Sequence, residues 1–439
     1  MILKLRKAGD NFRESLFYLP GIFVIGAVVL GETMILVDAS VDSDRLPRFL
    51  QFSVDNARAL LSTVAGATIT VAGTVFALTA LTVQLASSQF SPRVLRGFLR
   101  DRFQQAAIGF MVGTFTYSLI ILRAVRGVEG EGSDVVPNLG TLLGLVLAIL
   151  AVFAILAYVN RTVHSLQATS LIRRVTDETT SLIARRFPEL GEGRSGAVEP
   201  PEPVGDGLVV RALRTGWLQQ VGDQSLLDAL PPGGVVRVDR RVGSFVHVGA
   251  RLATVWGPLP DEEVVAREVH RSFVVGRERS MQQDAGFGIQ QLVDIALRAL
   301  STGVNDVTTA YECIVHLGSI LHEILHRDLP PSILEGDQGR RGLCPHDHDH
   351  AGYVGEAFDQ IRVSAASLPH LSAALINVAG QLIAELEAAG LAERTPPLRQ
   401  LIERCVAGVV THEPLPSDLE VVERAAAAAG VAVDDVPEA

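Results

Sequence analysis

The chain almost lacks lysine. Of its 38 Lys and Arg residues only Lys4 and Lys7 are lysine; the rest are arginine. That excludes a mid-chain lipoyl or biotin attachment site, a Schiff-base lysine and a Walker-type phosphate loop, each of which needs a lysine amine. Three cysteines in 439 residues are too few for a disulfide-stapled secreted scaffold. Basic residues are outnumbered by 49 Asp and Glu, a net charge of −11, which argues against a nucleic-acid partner. No G-x-S-x-G, Gly-rich nucleotide loop or complete triad occurs. No enzymatic activity and no cofactor are therefore expected.

Apolar residues are plentiful instead. They make up 48% of the chain, and the mean hydropathy of +0.30 is unusual for a purely soluble protein. The length suggests two or three domains. Charge is divided unevenly. Residues 1–175 hold 16 Lys and Arg against 11 Asp and Glu, a net of +5, whereas residues 176–439 hold 22 against 38, a net of −16. A basic, apolar front is fused to an acidic, more polar back.

Four apolar runs occupy the front: Leu16–Val37, Ala59–Ser88, Ala106–Leu122 and Leu139–Val159. A span needs about 20 such residues, so all four can cross, the third marginally. The first is too long for a cleaved signal and carries Glu32 near its end; Glu32 is expected to snorkel towards the outer surface. The N-terminus, the second loop (Arg93, Arg96, Arg100, Arg102) and the stretch after the fourth run (Arg161, Arg173, Arg174) are basic, while the third loop has Glu129, Glu131 and Asp134. By the positive-inside rule both termini are cytoplasmic, and Cys313, Cys344 and Cys405 sit in a reducing compartment.

The second run is the unusual one. At helical spacing Thr63, Gly66, Thr70, Gly73, Ala77, Ala80, Gln84 and Ser87 fall along one stripe. Small and hydroxyl residues in a line serve close helix packing or line a hydrated path. Gln84 favours the path, because an amide in hydrocarbon needs a partner or water. At 1.5 Å per residue the run extends about 45 Å, so its Gln84–Arg93 end should protrude, to be broken at Pro92.

The expected architecture is a mixed α+β integral membrane protein: a transmembrane domain with an exit helix (1–187), a Gly/Pro/Glu-rich linker (188–206), a small β module (207–258) and a helical domain (259–439). The turn Arg241-Val-Gly-Ser-Phe-Val-His-Val-Gly-Ala-Arg-Leu is similar to those of lipoyl-like barrel-sandwich modules, without a lysine to carry a prosthetic group. Beyond it, Asp284 to Thr309 reads as a helix from about Gly288 to Leu300, a Gly303 C-cap, a turn at Asn305-Asp306 and a second helix capped by one of these two. Asp294 and Arg298 are spaced for a helix-face ion pair.

The segments QLASSQFSPRVLRGFLRDR and DAGFGIQQLVDIALRALSTGVNDVTTA, with the four-span front, resemble the bacterial predicted-membrane-protein family called domain of unknown function 2254. Thr302 and Val307 stand where its members usually carry proline. The resemblance covers most of the chain and singles out Asp284, Phe287, Gly288, Asp294, Arg298, Asn305 and Asp306. It implies a multi-pass protein of the bacterial cytoplasmic (inner) membrane with a large cytosolic part, and it does not point to any particular activity.

Two signals resemble metal sites. His322-Glu323-Ile324-Leu325-His326 has the H-E-x-x-H spacing, with Glu323 as a candidate general base. Cys344, His346, His348 and His350 alternate in a Gly-rich loop that could take a divalent ion. The bland readings are surface histidines and a solvated loop, and no metal is expected.

The leading expectation is a homo-oligomeric, channel-like protein in a lipid bilayer. The second span would line a path for an unidentified ion or small solute. Ser88, Gln89, Arg93, Arg96 and Arg100 would ring its cytosolic mouth, and the cytosolic domain would assemble or gate it. The alternatives are a non-conducting signalling or interaction scaffold, and a zinc-dependent membrane protease using His322, Glu323 and His326.

Overall fold

A computed structural model describes residues 18–40, 47, 51–89, 102–126, 136–165, 168–192, 205–344 and 348–431, without the side chains of 83, 85–89 and 162–165. The chain divides into two compact units, Met1–Gln167 and Ala168–Ala439.

In the first unit four helices match the four apolar runs: α1 (Tyr18–Ser40), α2 (Val54–Gln89), α3 (Arg102–Ala124) and α4 (Asn138–Ser165). The outer faces of α1 and α4 carry large apolar side chains, among them Ile25, Val29 and Leu36 on α1 and Val152, Phe153 and Leu156 on α4. A solvent of hydrocarbon suits such faces. The third run is marginal in hydropathy because α3 is the central helix, packed on all the others. Its buried side includes Gln104, Gln105, Thr114 and Ser118. Gly109 and Gly113 form a G-x-x-x-G step on which α1 lies. A Cβ at Gly109 would come within 2.7 Å of the Phe23 ring and 3.0 Å of the Pro20 Cα. Small residues at this spacing let two backbones approach.

Polar links also hold the bundle. The Tyr117 hydroxyl donates to the Gly140 carbonyl at 2.9 Å, and the Tyr158 and Thr79 hydroxyls lie 2.6 Å apart. The Asp38 carboxylate at the end of α1 accepts the amides of Leu139 and Gly140 at 2.9 and 2.8 Å. It thereby satisfies two of the orphan donors that open α4. Glu32 has a closer option than snorkelling: the Arg123 guanidinium of α3 donates to it at 2.6 Å.

The second unit begins earlier than expected, with the exit helix α5 (Ala168–Arg186). Its apolar stripe, from Leu171 through Val175 to Leu182, is buried in this unit's own helical cluster. Most of the expected linker, residues 193–204, lies outside the described residues.

The β module follows as β1 (Leu208–Arg211), β2 (Gly216–Val221), α6 (Asp223–Asp228), β3 (Val235–Val238), β4 (Phe245–Val246) and β5 (Arg251–Trp256). It does not end at residue 258. After α7 (Glu262–Arg271), the strand β6 (Phe273–Gly276) pairs with β2 to complete a sheet ordered β4-β2-β6. Two more strands, β7 (Ile333–Glu335) and β8 (Arg341–Leu343), arrive much later. They extend the other sheet to β1-β5-β3-β8-β7, with β3 and β8 parallel. The sheets share one core that includes Val210, Leu218, Val236, Leu252, Val255 and Phe273. The turns around β4 use Gly243 and Gly249 at φ +84° and +81°, a backbone region that only glycine enters freely.

Between β6 and β7 lie α8 (Ala285–Ala299) and α9 (Val307–Leu325). The chain ends with α10 (His350–Ala365), α11 (Pro369–Ala388), α12 (Pro396–Val410) and α13 (Pro416–Ala428). Asp261, Asp284, Asp306 and Asp349 cap α7, α8, α9 and α10. α11, α12 and α13 open with proline in their first turn, where its missing N–H costs nothing. Five described helices, α1 to α4 and α11, are long and apolar enough to cross a membrane.

Candidate functional site

The stripe on α2 is exposed throughout its described part. Thr63, Gly66, Thr70, Gly73, Ala77, Ala80 and Gln84 all lie on the surface of the first unit. The buried side of α2 is a second line, Ala57, Leu61, Val64, Thr68, Ala72, Val75 and Thr79, displaced by two residues and so on the opposite face. Nothing among the described residues of this unit explains the glycines. A Cβ at Gly66 or Gly73 would meet no atom within 4 Å, although glycine inside a helix costs about 1 kcal/mol relative to alanine. The stripe alternates steps of three and four residues, the 3.5-residue period that keeps one face against a supercoiled neighbour.

The hydroxyls on this face are satisfied locally. Thr63 donates to the Ala59 carbonyl at 2.7 Å, Thr70 to Gly66 at 2.8 Å and Thr74 to Thr70 at 3.1 Å. Gln84 has no hydrogen-bond partner among the described residues. α2 continues at least to Gln89. The side chains of Ser87, Ser88 and Gln89, and all of Arg93, Arg96 and Arg100, lie outside the described residues, as does Pro92.

The family-like segment is structural in its contacts. α8 starts at Ala285, three residues before the expected Gly288, because Asp284 caps it by accepting the Phe287 amide at 2.9 Å. The same carboxylate holds Arg279, whose guanidinium lies 5.4 Å above the Phe287 ring. Gly288 faces Thr179 of α5 so closely that a side chain there would collide with the threonine. Asp294 accepts from Gln290, one turn earlier, at 2.8 Å. Gly303 is not the helix cap: Leu300 holds that position, and the left-handed residue of the turn is Asn305 at φ 49°. Asp306 caps α9 and accepts from both the amide and the hydroxyl of Thr309. These two bonds hold its carboxyl below the usual carboxylate range.

The metal-like residues are otherwise engaged. His322 Nδ1 lies 2.8 Å from a Glu385 carboxylate oxygen, and its ring stacks on His326 with centroids 4.2 Å apart. Glu323 pairs with Arg327 at 3.4 Å. His348 pairs with Glu356 at 3.3 Å, and His350 Nε2 lies 3.2 Å from the Arg327 carbonyl. Burial, followed by the field of Arg394, pushes the His350 imidazole down. His346 lies outside the described residues. Among the described residues no group of three His, Cys, Asp or Glu is placed to hold a metal ion.

Sequence reasoning overlooked Gly109, Gly113, Asp38 and Arg123. The G-x-x-x-G spacing was a visible signal for the first two. The partners of Asp38 and Glu32 lie about ninety or more residues away and left no local mark.

Comparison with known proteins agrees with this architecture. The family described as "Predicted membrane protein (DUF2254)" matches residues 13–380. Uncharacterized proteins of Mycobacterium bovis and of two Mycobacterium tuberculosis strains are each 31% identical to the chain over 389 residues, covering 86% of it and 73% of their own length. No solved structure matches. With most of its length inside that pattern and several helices apolar enough to span a bilayer, the chain belongs to the DUF2254 family of predicted membrane proteins.

Proposed function

We propose that the protein is a homo-oligomeric, channel-like component of the bacterial inner membrane, without enzymatic activity. Copies of α2 line a path for an ion or small solute at the assembly axis. The carrying observation is the exposed line from Thr63 to Gln84, opposite the face that α2 spends on its own bundle. Its two glycines meet nothing among the described residues, and a neighbouring copy supplies the missing partner. Four spans in one chain enclose little room for water, whereas a ring of small-residue helices encloses more.

In this reading α1 to α4 are the spans and both termini are cytoplasmic. The second unit, with its barrel-sandwich-like sheets, is cytosolic and assembles or gates the path. α11 is then a core helix of that unit: it packs against α9, α10, α12 and α13 and carries Glu385 and Glu387. Reconstitution in liposomes tests conduction. The wild type passes ions, and Thr70→Leu and Gln84→Leu alter the flux. No flux from correctly inserted wild type, or an imaged oligomer with α2 at its rim, removes the channel.

A non-conducting scaffold is the second reading. The observation favouring it is that Thr63, Thr70 and Thr74 already donate to their own helix, so the stripe can pack dry against a second copy.

A further inference from the structure

The second unit is acidic, yet four arginines converge on one of its cavities. Arg185 and Arg186 come from the last turn of α5, and Arg240 and Arg241 from the turn between β3 and β4. The cavity measures about 210 Å³. Among the described residues Asp223 is its one acidic lining residue, and that carboxylate is already committed to Arg186 at 3.0 Å. Arg185 and Arg240 are exposed at the mouth and have no hydrogen bond or ion pair among the described residues. Two unneutralised guanidinium groups are thus held on facing elements over a concave surface, in a part of the chain where acids outnumber bases by 38 to 22.

The walls define the rest of the ligand. Gln283 is locked against β2, its amide accepting the Val221 N–H at 2.9 Å and donating to the Val221 carbonyl at 3.0 Å. Phe187 and Tyr353, with ring centroids 6.0 Å apart, form an aromatic side of the same cavity. Val242, Leu334 and Pro331 add apolar surface. The guanidinium fork matches phosphate oxygens in geometry and charge. Drug-sized ligands occupy about 300–1,000 Å³, so this cavity suits a phosphate with a short organic arm and is too small for a dinucleotide.

We infer that this cavity binds a phosphate-bearing small molecule, with Arg185 and Arg240 as the principal anion contacts and Arg186 and Arg241 beside them. Such a ligand would tie the end of α5 to the β3–β4 turn. The site stands whether or not the chain conducts.

The test uses the full-length protein in detergent, titrated calorimetrically with pyrophosphate and with a short-chain phosphatidic acid. The first probe represents a soluble phosphate and the second a lipid head group. At least one binds saturably, and whichever binds more tightly identifies the source. Arg185→Gln with Arg240→Gln weakens that binding at least tenfold. The charge-matched pair Arg214→Gln and Arg267→Gln, exposed residues outside the cavity, changes it less than twofold. Because Arg185 and Arg240 have no partners to lose among the described residues, the double variant keeps the wild-type melting temperature. Binding of neither probe overturns the inference, as does binding that survives the cavity substitutions or falls equally in the control pair.

Discussion

The Asp284 carboxylate takes two hydrogen bonds from Arg279, at 2.6 Å from Nε and 3.0 Å from Nη2, and a third from the Phe287 amide at 2.9 Å. It is 3% exposed, and these three donors occupy three of its roughly four acceptor sites. Removing one partner of such a pair leaves the other charge desolvated, at a cost of about 3 kcal/mol or more. The lost helix cap adds roughly 1 kcal/mol. Asp284→Ala should lower the melting temperature of the purified protein sharply. Asp284→Asn, which keeps the cap and loses the charge, should fall between that variant and wild type.

Gly288 is where α8 and α5 touch. Any side chain there collides with the Thr179 hydroxyl and methyl. Gly288→Val should detach the α5 face from α8 and expose residues 168–186 to limited proteolysis. Thr179→Ala, introduced in the Gly288→Ala background, removes two of the three nearest atoms and should restore part of the protection. Failure of that rescue would mean that the contact is not what glycine serves here.

Stability should fall on mild acidification. Burial holds His350 and His316 below the usual imidazole range, so the unfolded chain takes up those protons first, near its ordinary value of about 6.5. Their contribution is complete above about pH 7 and is lost as the pH drops through about 6.5 towards the folded values. Asp306 is depressed as well and acts in the same sense at lower pH: its contribution persists above about pH 4 and disappears below it. Melting temperature against pH should therefore fall in two steps. His350→Gln should shrink the upper step only.

In the first unit, the α1–α3 seam depends on having no side chain at Gly109. Gly109→Leu should drive Phe23 and Pro20 away and loosen the bundle. The readout is faster exchange or cleavage in α1 after membrane extraction. Leu119→Ala, at an exposed position of the same helix, should have little effect.

The thiols should be slow to alkylate. Burial raises Cys344 and Cys405 to about 12 and lifts Cys313 further, and the thiolate is the reactive form. Maleimide at neutral pH should label the folded protein far more slowly than the denatured one.

The four apolar helices of the first unit were legible because hydropathy is a local property, and their observed bounds fall within a few residues of the apolar runs, apart from the longer ends of α2 and α4. Asp306 as a cap was equally local. The exit helix was assigned to the wrong unit because its amphipathic stripe does not say which core will receive it. The strand at Arg341 falls in the Gly-rich loop expected around Cys344, and the strand at Ile333 in the expected helical domain: three residues each are too few for a period. The pairing of β8 with β3, and of β7 with β8, is a tertiary choice. For the stripe on α2, the sequence revealed the line but not that it faces away from its own bundle.

The parallel pairing of β3 with β8 sets an order of assembly. Val235 meets Arg341 across that ladder, so the β3 edge stays open until roughly a hundred further residues have left the ribosome, about 5–20 s at ordinary synthesis rates. Throughout that interval one edge of β3 stays unpaired. Timing of synthesis, as well as contact energy, thus governs when this half of the molecule can close its larger sheet.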